Sequence, residues 1–439
     1  MKVITESGYP LRGTVSLPGD KSISHRAALF GALATGHSHI ENFLVAGVTE
    51  KMLDALTALG VSYTLNGTTL DINGKGFAGI EPAEKVLHCG NSATTMRLLI
   101  GALAGIGLPA KLDGSEGLRS RPMGRVVNPL REMGAQIETT EAGTAPLQIL
   151  GMDGKHLQGR NFALPVASAQ VKTALMLAAL QGNSPTTILE PGPSRDHSER
   201  MLASMGASIE TVAQQGKPCI TVEPLQKHLT PLEITVPGDF SSAAFLIVAA
   251  LVTPGSEIVL QGVGLNPTRT GLLDVLHTMG AQIEILNARE QHNEPVGDIV
   301  VRHSRLHGIE VSGSVVVRMI DEFPVFAVAA AYAEGQTVVK DAVELRHKES
   351  NRISMLCAQL TEVGISVREQ PDGFVIDGGA PVTGGIADPH SDHRLAMSLL
   401  VAGLDAQGPV SVQHAEIINE SFPQFLDSLT HLGARFDVV

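Results

Sequence analysis

The sequence predicts an α/β fold made of six copies of one unit, divided three and three between two lobes. A short phrase returns six times: leucine, two variable residues, a bulky aliphatic, glycine, a small or aliphatic residue, a spacer, then a β-former. Its copies centre on Gly60, Gly134, Gly206, Gly280, Gly364 and Gly433, each four residues after a leucine (Leu56, Leu130, Leu202, Leu276, Leu360, Leu429). About midway between these glycines lies a second series, in which a polar, turn-like cluster runs into an apolar, alanine-rich stretch. Pro18-Gly19-Asp20 is echoed by Pro237-Gly238-Asp239, each just ahead of one such stretch.

Each phrase reads as one helix ending and one strand beginning. Glycine at C′ takes the left-handed conformation that closes a helix, and the alternation after it suits a half-buried strand. The second series reads as buried helices within Pro18 to Ala34, Gly90 to Gly105, Pro165 to Leu180, Pro237 to Leu251, Ile320 to Gly335 and His390 to Gly403. A helix apolar on nearly every side has to be enclosed, and its unpaired amides and positive dipole end then suit anions. The two Pro-Gly-Asp segments mark the crossings between lobes. One lobe is therefore residues 21–238 and the other 239–439 with 1–20.

With 439 residues and 43% hydrophobic content, the chain can bury more than one core. A net charge of −13, 3% aromatic residues and no tryptophan argue against a nucleic-acid surface, which needs basic stripes and stacking rings. Apolar runs are broken by glycine or charge before the roughly 20 residues a membrane span needs. The widely spaced cysteines Cys89, Cys219 and Cys357 suit a reducing cytosol rather than a disulfide framework. A nucleotide phosphate loop is excluded, since neither Gly-Lys-Ser/Thr nor a complete GxGxxG occurs. Asp388, His390, Asp392 and His393 carry metal-ligating groups, yet Ser391 and Asp392 also make a natural helix cap, and no metal is expected.

Pro18-Gly19-Asp20-Lys21-Ser22-Ile23-Ser24-His25-Arg26 puts an ammonium, two hydroxyls and a guanidinium at the start of a buried helix, more positive equipment than a cap requires. Similar combinations recur in Gly90-Asn91-Ser92-Ala93-Thr94-Thr95-Met96-Arg97, Arg121-Pro122-Met123, Ser168-Ala169-Gln170-Val171-Lys172 and Ser194-Arg195. Arg346-His347-Lys348-Glu349-Ser350-Asn351-Arg352 and Ser391-Asp392-His393-Arg394 repeat them again. On these motifs, in order along essentially the whole chain, the sequence resembles the 5-enolpyruvylshikimate-3-phosphate (EPSP) synthase family. Ser168-Ala169-Gln170-x-Lys172, Arg195-x-His197-x-Glu199 and Asn266-x-Thr268-Arg269 resemble its class II, often glyphosate-tolerant, branch.

The resemblance implies a two-lobed inside-out α/β barrel of βαβαββ units, three per lobe around a pseudo-threefold axis. It implies transfer of the enolpyruvyl group of phosphoenolpyruvate to the 5-hydroxyl of shikimate 3-phosphate with release of phosphate. That step belongs to the shikimate pathway, toward chorismate and the aromatic amino acids, and implies a cytoplasmic monomer without a cofactor. By resemblance, Lys21, Ser22, Arg26, Ser168, Ala169, Gln170 and Arg195, with Asp321 and Lys348, hold shikimate 3-phosphate. Lys21, Ala93, Arg121, Gln170, Arg352 and Arg394 surround phosphoenolpyruvate. Asp321 and Glu349 are the acid and base pair, with Lys21 helping phosphate leave. Arginine suits both phosphorylated carboxylates, because its fork binds them in bidentate fashion and stays charged. The structural alternative makes Asp321 a helix cap before Pro324, and Glu349 and the arginines surface charges.

Three positions depart from the family pattern. The loop around Gly47 lacks the usual acidic residue, Asn351 stands where aspartate is usual, and Glu420 stands where class I members place a lysine. Ala93 replaces the glycine of glyphosate-sensitive members. Two rival readings are a UDP-N-acetylglucosamine enolpyruvyl transferase and a catalytically dead anion-binding protein of the same fold. The first has a reactive cysteine five residues before its Arg-Pro arginine, where this chain has Glu116 beside Ser115; the second is expected to lose Asp321, Glu349 or the arginines.

Overall fold

The leucine-glycine phrase folds as one kind of helix terminus, six times over. In the computed structural model, which describes residues 1–152 and 154–439, the repeat glycines all have positive φ, from +82° at Gly60 to +113° at Gly433. Gly60 N–H donates to Thr57 O at 3.0 Å and Val61 N–H to Leu56 O at 3.0 Å, and the same pair of bonds recurs at the other five. This is the Schellman arrangement. The repeat leucine supplies its carbonyl to the second bond and its side chain, at most 1% exposed, to the core. Strands Ser62–Asn66, Ile137–Glu138, Ile209–Gln214, Gln282–Gln291, Val367–Gln370 and Arg435–Val438 follow.

These strands belong to six four-stranded sheets among the described residues, each with one parallel and two antiparallel pairings. Glu310–Val311 lies parallel to Gly335–Val339, which pairs antiparallel with Gly373–Gly378, and that strand with Val367–Gln370. With helices Phe323–Tyr332 and Arg352–Glu362 between, the chain order is βαβαββ. Three sheets are completed by a strand distant in sequence. Arg12–Ser16 lies parallel to Glu257–Gly264, Glu233–Thr235 lies parallel to Thr35–Glu41, and Val3–Glu6 sits between Val410–Val412 and Arg435–Val438.

The chain divides into a larger unit, 1–20 with 237–439, and a smaller one, 21–236. The second crossing thus precedes Pro237 rather than following Gly238. Gly238 N–H donates to Gly262 O at 2.8 Å and Gly238 O accepts from Gly264 N–H at 2.9 Å, so the residue is already woven into the larger unit.

Each unit holds three of the buried helices. In the smaller unit they are Lys21–Leu33, Ala93–Ile106 and Ala169–Ala179; in the larger, Phe240–Val252, Phe323–Tyr332 and His393–Ala402. Every residue of Phe240–Val252 is buried. Small residues permit close helix contact: a Cβ added at Gly101 would lie 2.3 Å from Ala174 O.

The repeat glycines differ in surroundings, which separates backbone strain from clash. A Cβ at Gly206 meets nothing within 4 Å, whereas one at Gly364 would lie 2.0 Å from Thr383 Oγ1. Gly206→Ala is expected to cost about 1–2 kcal/mol, the usual penalty for a left-handed L-residue, and Gly364→Ala distinctly more. Urea unfolding of both variants checks the order.

Candidate functional site

In the smaller unit the sequence-predicted groups gather at helix N-termini. Lys21 is the first residue of helix Lys21–Leu33 and Ala93, 4% exposed, the first of Ala93–Ile106. Ser168 caps Ala169–Ala179 by accepting Val171 N–H at 3.5 Å, and its hydroxyl proton stays available to an anion. Arg26 is 2% exposed. Its Nε donates to Ser198 Oγ at 2.7 Å, Nη1 to Ser22 O at 3.0 Å and Nη2 to Thr173 Oγ1 at 2.9 Å. Arg195 Nη1 donates to Ser22 Oγ at 3.4 Å, so Ser22, Arg26 and Arg195 form one group.

A second group forms around Gln170. Arg97 Nη1 donates to Gln170 Oε1 at 2.7 Å, Gln170 Nε2 donates to Thr94 Oγ1 at 2.9 Å, and Arg97 Nη2 donates to Pro122 O at 3.1 Å. Arg97 thus fixes the amide of Gln170 and ties it to the segment carrying Arg121, itself 8% exposed. The sequence placed Arg97 in a cationic motif without giving it a role. Its partners, 25 and 73 positions away, carry no local signal.

His25 sets the register of three helix starts. Its Nδ1 lies 2.7 Å from Lys21 O. Nε2 lies 3.2 Å from Ser92 Oγ and 3.2 Å from Val48 O, reaching the Gly47 loop. That loop is held without the missing carboxylate: Thr49 Oγ1 donates to Leu44 O at 2.6 Å and accepts Ala46 N–H at 3.1 Å. Burial pushes the imidazole down to about 4.

Two of the motifs, Ser168-Ala169-Gln170-x-Lys172 and Arg195-x-His197-x-Glu199, meet in the core of the smaller unit. Lys172 Nζ lies 2.7 Å from Glu190 Oε2 and 2.6 Å from Glu199 Oε1, with the lysine side chain 2% exposed. Burial opposes the ammonium charge, but Glu199 and Glu190 outweigh it and hold Lys172 above its ordinary value. Burial likewise raises the Glu199 carboxyl, against the pull of Lys172.

In the larger unit, Asp321 stands among cations. Its Oδ1 lies 3.4 Å from Lys348 Nζ and 3.7 Å from Arg352 Nη1, and its Oδ2 lies 4.0 Å from Arg394 Nη2. Arg352, 1% exposed, donates through Nη2 to Glu349 Oε2 at 2.6 Å. It grips Asp392 in bidentate fashion, Nε to Oδ2 at 2.8 Å and Nη2 to Oδ1 at 3.2 Å. Its buried Nη1 has no hydrogen-bond acceptor among the described residues. Burial opposes the Arg352 charge, yet Asp392 and Glu349 hold it above its ordinary value. Asp392 is held below the usual carboxylate range, because Arg352 outweighs the burial that would raise it.

Asp321 does not cap its helix; Glu322 holds the N-cap position of Phe323–Tyr332. Asp392 caps His393–Ala402, accepting from Arg394 N–H at 3.0 Å and Leu395 N–H at 3.4 Å while holding Arg352. The sequence weighed Asp392 as a cap but missed this second role, since Arg352 lies 40 positions away. Asn351 keeps the capping function of the usual aspartate by accepting Ser354 N–H at 3.4 Å, and it accepts Arg346 Nη1 at 3.2 Å. Ser115 Oγ caps a short helix at Leu118 N–H and donates to Asn91 Oδ1. Glu420 ends the 3-10 segment Ala415–Glu420. No helix among the described residues is long and apolar enough to cross a membrane.

The family model for EPSP synthase (3-phosphoshikimate 1-carboxyvinyltransferase) matches residues 5–429. A 3-phosphoshikimate 1-carboxyvinyltransferase of Citrifermentans bemidjiense is 49% identical over 426 residues, 97% of each chain. That of Geobacter sulfurreducens is 48% identical over 437 residues, covering 99% of this chain and 100% of the relative. Among solved structures, EPSP synthase from Acinetobacter baumannii superposes with a TM-score of 0.87 at 40% identity, covering 100% of both chains.

The depressed His25 imidazole makes stability depend on pH. Between about 6.5 and about 4 the unfolded chain binds a proton at this residue that the folded protein does not, so stability falls as pH drops through that window. His25→Gln removes the effect. Acidification from pH 7 to pH 4.5 is expected to destabilise the variant less than the wild type, by about 2 kcal/mol, as read by urea unfolding at both pH values.

Proposed function

Because the chain belongs to the EPSP synthase family, we propose that it transfers the enolpyruvyl group of phosphoenolpyruvate to the 5-hydroxyl of shikimate 3-phosphate and releases phosphate. The observation that carries this reading is the Asp321 cluster, a carboxylate set among Lys348, Arg352 and Arg394. Three cations there are matched by the three carboxylates of Asp321, Glu349 and Asp392. An added phosphate or carboxylate meets the unbonded Nη1 of Arg352.

The chemistry has two halves. The acceptor hydroxyl loses its proton as its oxygen bonds to C2 of phosphoenolpyruvate, while C3 gains a proton. C3 then loses a proton, the C2–O bond to phosphate breaks, and the enol ether forms. Nothing is oxidised or reduced, so the transfer requires acid-base groups and charge stabilisation, not a redox cofactor. Asp321 and Glu349 are assigned the proton transfers, supported by the cations that contact each. Lys21 and Arg121, Arg352 and Arg394 are assigned to phosphoenolpyruvate, with Ala93 and Gln170. Ser22, Arg26, Ser168, Ala169, Gln170 and Arg195, with Lys21 and Lys348, are assigned to shikimate 3-phosphate. One chain carries both sets, which supports a monomer, and three free, buried thiols support a cytoplasmic setting.

Mixing the protein with both substrates and following phosphate tests the activity; no release, or release with UDP-N-acetylglucosamine as acceptor instead, overturns it. Asp321→Asn and Glu349→Gln are expected to keep substrate binding and lower kcat by about 10² to 10⁴, the usual range for lost general acids and bases. Near-normal turnover in either variant removes that residue from the mechanism.

Ala93 is assigned to the phosphoenolpyruvate wall. Its burial at 4% exposure supports a methyl in close contact. A methyl at a tight wall excludes the longer glyphosate more than phosphoenolpyruvate, by roughly 1–3 kcal/mol if overpacking costs are typical. Ala93→Gly is therefore expected to lower glyphosate tolerance while retaining phosphoenolpyruvate use. Paired inhibition curves at matched substrate saturation decide, and equal sensitivity rejects the steric account.

A further inference from the structure

Both Pro-Gly-Asp segments end in the larger unit and are tied to each other. Asp20 N–H donates to Pro237 O at 2.8 Å, and Asp239 N–H donates to Pro18 O at 2.9 Å. Arg269, 2% exposed, spans their carboxylates: Nη1 lies 3.3 Å from Asp20 Oδ2 and Nη2 lies 2.7 Å from Asp239 Oδ1. Nη2 also donates to Ser241 Oγ at 2.9 Å, and Ser241 Oγ donates to Glu322 Oε1. Asp20 is peptide-bonded to Lys21, and Glu322 to Asp321. One guanidinium therefore reaches the immediate neighbours of two residues assigned to the chemistry.

The rest of the Asn266-x-Thr268-Arg269 motif builds the turn that presents this guanidinium. Asn266 Oδ1 accepts from Thr268 N–H at 2.9 Å and Thr268 Oγ1 at 2.6 Å, and Asn266 Nδ2 donates to Glu294 Oε2 at 2.9 Å. The turn is thus anchored on one side, with Arg269 projecting from it into the buried carboxylates.

We propose that Arg269 is a positioning residue, registering the backbone at Lys21 through Asp20 and at Asp321 through Ser241 and Glu322. The proposal rests on the enolpyruvyl-transfer reading. Charge alone does not satisfy this geometry. A guanidinium fork spans two carboxylates and a hydroxyl in fixed directions, whereas a lysine ammonium is a point charge on a flexible stem. If Arg269 merely neutralises buried carboxylates, lysine serves as well.

Arg269→Lys and Ser241→Ala in the full chain separate the two accounts. Each is assayed for phosphate release well below its own melting temperature, with both KM values measured. Positioning predicts that kcat falls about 10- to 100-fold in Arg269→Lys, as small misplacements of reacting groups do, with both KM values within about threefold of wild type. Ser241→Ala, which cuts the link to Glu322 and spares the contacts to Asp20 and Asp239, is expected to lower kcat in the same direction. A folded Arg269→Lys with wild-type kcat overturns the proposal. If that variant does not fold, unchanged kcat in Ser241→Ala overturns it. A wild-type protein that releases no phosphate overturns the activity reading, and this proposal with it.

Discussion

Helices apolar on almost every face cannot be solvated, so three of them in each unit pack on one another and under three sheets. Their enclosure shapes everything polar in the molecule. Once the helix barrels are covered, the N-terminal ends remain the place where backbone donors and charged side chains meet. Lys21, Ser22, Ala93 and Ser168 in one unit, and Glu322, Asp392 and Arg394 in the other, all stand at such ends. The repeat glycines serve the same end from outside, by turning each surface helix sharply back into its sheet.

Burial also decides how the cations are held. A guanidinium or ammonium out of water needs compensation, and removing one partner of a buried pair typically costs about 3–5 kcal/mol. Arg352 and Lys172 each contact two carboxylates or more, and Arg269 joins two. Arg26 donates to a carbonyl and two hydroxyls.

Features that repeat locally were readable from sequence. Leu56 to Gly60 and its five counterparts carry a helix end within five residues, and the alanine-rich stretches announce their own burial. The family motifs also named the residues now found around Asp321. What sequence did not disclose is pairing between distant positions. Nothing local links Arg352 to Asp392, Lys172 to Glu199, Arg97 to Gln170, or Arg269 to Asp20 and Asp239. The second crossing was misplaced by two residues for the same reason: the bonds that claim Gly238 come from Gly262 and Gly264.

The borrowed strands carry a consequence for the order in which the molecule can be built on the ribosome. The smaller unit closes when Glu233–Thr235 pairs with Thr35–Glu41, so its last sheet is available as soon as residue 236 has emerged. The larger unit has to wait. Arg12–Ser16 stays without its partner until Glu257–Gly264 is made, and Val3–Glu6 until Val410–Val412 is. Both strands thus wait after the smaller unit is complete at residue 236, Arg12–Ser16 until residue 264 and Val3–Glu6 until residue 412. Their sequences suit that interval: VITE and RGTVS are short and each carries a charge, which discourages pairing with a neighbouring nascent chain.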